Sequence, residues 1–79
     1  PSMFLTRLVL GLAYLPRMDG EGQSMMRDQL LLSWQMQRGS TARALKEGEL
    51  RLSAIEPLLE GVHEDLLEEM REVASGAAR

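Results

Sequence analysis

The sequence predicts an all-α protein: a small helical hairpin or a three-to-four-helix bundle whose last helix is long. Three observations carry this. The apolar residues are mostly Leu and Met, which favour helices, whereas Phe, Tyr and Trp occur once each. Apolar positions recur at three- and four-residue spacing along much of the chain. Over the C-terminal half five of them fall at seven-residue intervals: Leu45, Leu52, Leu59, Leu66 and Val73.

The first element is a helix over residues 3–15, with ten apolar residues in thirteen and Ser2 as its N-cap. Pro16 cannot extend it, having no N–H to donate. A spanning helix needs about 20 apolar residues, so this one is too short to cross a bilayer. It reads as a core helix, and Arg7 alone is too thin a polar face for a helix lying on a membrane.

Residues 16–22 read as a loop, from Pro16, the Asp19-Gly20 pair and Gly22. Asp19, Gly20 and Glu21 start like a calcium loop, but Met25 and Met26 stand where oxygen ligands would have to follow. The second helix is expected over 23–38, capped by Ser24 and ended by Gly39. Met26, Leu30 and Trp34 share one face at four-residue spacing, and Met25, Leu32 and Met36 extend the apolar surface onto an adjacent flank. That Met-rich surface is expected in the core; its alternative use is as an adaptable docking groove.

Residues 41–74 carry the seven-residue repeat, with Gly48, Ile55, Val62 and Glu69 interleaved. The pattern predicts a coiled-coil-like seam on one continuous helix, kinked at Pro57, in preference to two helices broken near Ser53–Glu56. Residues 75–79 are expected to fray. The whole of 1–79 is then one small helical domain, with no disulfide to brace it because it has no Cys.

Charge is unevenly spread. The chain has net charge −3, yet residues 1–46 carry six basic and three acidic groups and residues 47–79 three basic and nine acidic. Opposite signs on two halves of a short helical chain favour pairing, within a chain or between copies.

Few residues offer chemistry, and no enzyme is expected. Without Cys there is no thiolate nucleophile, and His63 is the single histidine, set among acidic residues. Glu60 and His63 form a Glu-x-x-His pair of the kind used in di-iron bundles, but no carboxylate from another helix completes a set, so no metal or other cofactor is expected. No small-molecule substrate is evident either. Arg38, Arg43 and Lys46 gather near an expected helix start, where a phosphate could sit. Glu47, Glu49, Glu56 and Glu60 then occupy the place of a DNA-reading helix.

By elimination the expected role is protein interaction: a cytoplasmic adaptor, chaperone-like protein or inhibitor working through helix packing, as a homodimer or in an obligate complex. A chain below about 80 residues has little core to spare, which favours a partner. The residues expected to form the core seam or the interface are Leu8, Leu12, Met26, Leu30 and Trp34, packing on Leu45, Leu52, Ile55, Leu59, Val62 and Leu66. The alternative is a small nucleic-acid-binding regulator using Arg38, Arg43 and Lys46.

Overall fold

The computed structural model describes residues 3–76. They form an all-α bundle of five helices: α1 (Met3–Ala13), α2 (Gly20–Met36), α3 (Arg38–Glu47), α4 (Leu52–Leu59) and α5 (Glu64–Ser75), with a 3₁₀ turn over Leu15–Arg17. The expected cap Ser2 and the end of the expected frayed tail lie outside these residues; within them Ala74 and Ser75 are helical and Gly76 closes α5.

In α1 the residues Leu5, Leu8 and Leu12 recur every three or four positions and are buried. Tyr14 N–H bonds Gly11 O, tightening the last turn, and Pro16 sits inside the 3₁₀ turn that follows. α2 then doubles back on α1. Gly11 allows the approach: a Cβ there would lie 2.7 Å from Met26 Sδ.

The second helix starts three residues earlier than its sequence suggests. Asp19, not Ser24, is the N-cap, its Oδ1 accepting the Gly22 N–H at 2.8 Å. The helix ends at Met36, and α3 begins after the single residue Gln37 instead of at Ser40 or Thr41. This elbow is held by buried hydroxyls. Thr41 Oγ1 lies 2.7 Å from Gln37 O, 3.1 Å from Ser33 O and 2.7 Å from Ser33 Oγ. Both side chains are fully buried, so these bonds satisfy groups that water cannot reach.

The expected long helix over 41–74 is three helices. Its breaks are set by glycines, not by Pro57. Gly48 (φ 82°) closes α3 and Gly61 (φ 77°) turns the chain after α4, both in the left-handed region where a Cβ is costly. After Gly48 the chain folds over the end of α3, with Leu50 N–H bonded to Ala44 O, and Leu50 enters the core. Pro57 lies within α4. The carbonyl its ring deprives of a donor belongs to Ser53, and both residues are exposed, so water can serve that carbonyl. Near the other end of α4, Leu58 O accepts from Arg27 Nε at 2.8 Å, a link from α2.

α2 is the central helix, touching α1, α3 and α4, and α5 closes the bundle against α3 and α4. Two ion pairs fasten α5 from outside. Arg71 reaches Glu56 of α4 at 2.9 Å, and Arg38 of α3 pairs with Glu69; within α5 itself Arg71 also meets Glu68 at 3.5 Å. Glu47 and Arg51, four residues apart in sequence, form no ion pair among the described residues, because Gly48 ends the helix between them. The Glu56 hydrogen bond raises the Arg71 pKa above its already high ordinary value, against a smaller opposing effect of desolvation.

Candidate interaction surface

Of the residues expected to make an interface, most are spent inside the chain. Leu8, Leu12, Met26, Leu30, Trp34, Leu45, Ile55 and Leu59 are buried in one copy, so none of them is available to a partner. Leu52 and Leu66 are half-buried, and Val62 stands exposed in the turn after Gly61. Leu50, Leu58, Leu67 and Met70 are buried off the seven-residue register, and Val73 is buried on it; Leu5, Leu15 and Ala44 complete the core. A break in the helix at each glycine resets which residues face inward, so a repeat counted through the breaks keeps Ile55, Leu59 and Val73 but misses Leu58, Leu67 and Met70 and takes in the exposed Val62.

The exposed large apolar residues are concentrated elsewhere. Met3 and Leu10 of α1 and Tyr14 just after it point outward, as do Met25, Leu32 and Met36 of α2. Met3, Leu10 and Tyr14 are spaced by seven and four residues, as are Met25, Leu32 and Met36, so each set is a stripe along one helix face. The flank of the second helix that the sequence marks as Met-rich therefore lies outside the core. Arg7 belongs to the first stripe by position and Asp28 to the second; both are exposed, and neither has an ion-pair partner among the described residues.

The basic cluster is divided by the fold. Arg38, Arg43 and Lys46 all lie on α3, but Arg38 is engaged by Glu69 and stacks 4.5 Å above the Trp34 ring centroid. Arg43 and Lys46 remain exposed. The buried Trp34 Nε1 and Gln37 Oε1 have no hydrogen-bond partner among the described residues.

Glu60 and His63 do not share a helix face. Glu60 ends α4, His63 precedes α5, and the positive φ of Gly61 separates them. Glu64 instead turns back to accept the Gly61 N–H. No group of three or more His, Asp or Glu side chains among the described residues is placed to hold a metal ion. A shallow cleft of about 490 Å³ opens between the end of α1 and the start of α4, lined by Val9, Leu12, Ala13, Gly48, Glu49, Arg51 and Ala54. It gathers no set of reactive groups.

Among the described residues no helix is long and apolar enough to cross a membrane. No family model, curated protein or solved structure matches the chain.

Proposed function

We propose that this chain is a small protein-interaction module, an adaptor-like helical domain that docks through the outer face of α1 and α2. A cytoplasmic setting belongs to the same proposal. The observation that carries it is the concentration of Met3, Leu10, Tyr14, Met25, Leu32 and Met36 on the outside of two adjacent helices, in a chain whose core is already filled by other residues. Six large apolar side chains left outside a filled core on two adjacent helices mark an interaction site. Three of the six are Met, whose unbranched, polarizable side chain adapts to a partner's contours. The charge on this part of the chain is balanced: Arg7, Arg17 and Arg27 offset Asp19, Glu21 and Asp28.

Photo-crosslinking in the host cell tests the reading. A crosslinking residue placed at Leu32 should trap protein, and the same residue at exposed Glu68 on α5 should not. Equal capture from both positions, or none from Leu32, would refute docking through this face.

A further inference from the structure

We infer that the occupant of the α1–α2 face is a second copy of the same chain, paired about a twofold axis so that the α1 stripe of each copy lies on the α2 stripe of the other. The inference rests on the docking role just proposed and names the partner. Two properties of the face point to a copy of itself.

The first is area. Exposures of 74% for Met3, 59% for Leu10, Tyr14 and Met25, 45% for Leu32 and 76% for Met36 amount to roughly 700 Å², taking about 200 Å² for a large side chain. A standard interface takes about 800 Å² from each partner. One such face against its own copy is thus of the size that holds a stable dimer.

The second is self-complementarity. A twofold interface brings residue i of one copy to residue j of the other, and j to i. The α1 stripe runs Met3, Arg7, Leu10, Tyr14 and the α2 stripe Met25, Asp28, Leu32, Met36. Each holds one charge between apolar residues, and the two charges are opposite. Crossing the stripes sets Arg7 against Asp28 twice, giving both a counter-ion that neither has among the described residues of one copy. A membrane is a poorer match. The chain's net charge of −3 is repelled by anionic headgroups, and the Arg7 of one stripe is balanced by the Asp28 of the other.

Sedimentation of the purified chain from about 1 to 500 μM tests the pairing. The expected species is a dimer of twice the 8.9 kDa monomer mass. Leu32→Glu should leave it monomeric with an unchanged circular dichroism spectrum. Arg7→Glu alone and Asp28→Lys alone should each weaken the dimer at least tenfold, since each places like charges together at both crossings. Mixing these two variants in equal amounts should restore dimers, because every crossing in the mixed pair joins opposite charges.

A wild-type monomer across the whole range overturns the inference, and so does a dimer that Leu32→Glu leaves intact. A monomer that floats with phosphatidylglycerol vesicles, and loses this in Leu32→Glu, also overturns it and makes the face a membrane surface. If the purified chain stays monomeric while the Leu32 crosslinker traps a different protein, self-pairing fails and the docking role stands. If neither is seen, both fail.

Discussion

The α1–α2 pair and the α4–α5 pair solve the same problem on the inside and different ones on the outside. Each buries one stripe in a shared core: Leu8, Leu12, Met26 and Leu30 from the first, Ile55, Leu59, Leu67 and Met70 from the second. Outward, α1 and α2 carry six exposed large apolar residues and balanced charge. From Leu52 to Ser75, by contrast, seven acidic groups (Glu56, Glu60, Glu64, Asp65, Glu68, Glu69 and Glu72) face a single Arg71, and the sole large apolar residue exposed is Val62. Folding requires the inward faces to be apolar and leaves the outward faces free. Where a free face is nonetheless apolar, the fold does not explain it. That contrast is the reason to look for function on α1 and α2.

If the two inner faces are equivalent, truncating either should cost the same. Leu30→Ala in α2 and Leu67→Ala in α5 each remove a fully buried side chain, and each should lower unfolding free energy by about 3 kcal/mol in urea titrations. A cost below about 1 kcal/mol for one of them would break the equivalence and mark that pair as loosely attached.

The next largest effect is expected at the elbow that joins the halves. Thr41→Val keeps the shape but strips the hydroxyl that Ser33 Oγ meets, at about 1–3 kcal/mol by the same titration. At Gly61, φ of 77° makes Gly61→Ala destabilising by about 1–2 kcal/mol. Gly39→Ala, within α3 and with open space around it, should instead raise stability by about 0.5–1 kcal/mol. Thermal unfolding of this pair of variants distinguishes a glycine needed for its backbone from one that is not.

The outer faces should give the smallest changes in stability and the sharpest contrast in behaviour. Arg71→Ala opens the partly exposed pair with Glu56 and should lower stability only slightly, by less as salt is added. Leu32→Ser should shift stability by no more than about 0.5 kcal/mol, while reducing association measured by sedimentation. A large loss of stability in Leu32→Ser would show that the stripe serves the fold after all.

Much of the core was legible locally. Met26, Leu30 and Trp34 at four-residue spacing do face inward, as do Leu8 and Leu12. The turn between the first two helices was readable from Pro16 and the Asp19-Gly20 pair, although Asp19 takes the cap expected of Ser24. The flank of Met25, Leu32 and Met36 was visible as a second apolar surface, with nothing local to show that it stays uncovered. The C-terminal half was misread because periodicity is blind to backbone handedness. The seven-residue repeat runs through Gly48 and Gly61, where the left-handed backbone in fact ends the helical path, and Pro57 drew the break to a position that remains helical.

What the sequence determined by itself is the helical class, the inward stripe of each helix where polar and apolar residues alternate, and the uneven charge. These depend on neighbours within a turn or two. Only the tertiary structure decided which side of the nearly all-apolar α1 is covered, where the last helix divides, and which charges Arg38 and Arg71 meet. Those outcomes depend on contacts between residues far apart in the chain, and a local pattern carries no information about which distant surface will arrive.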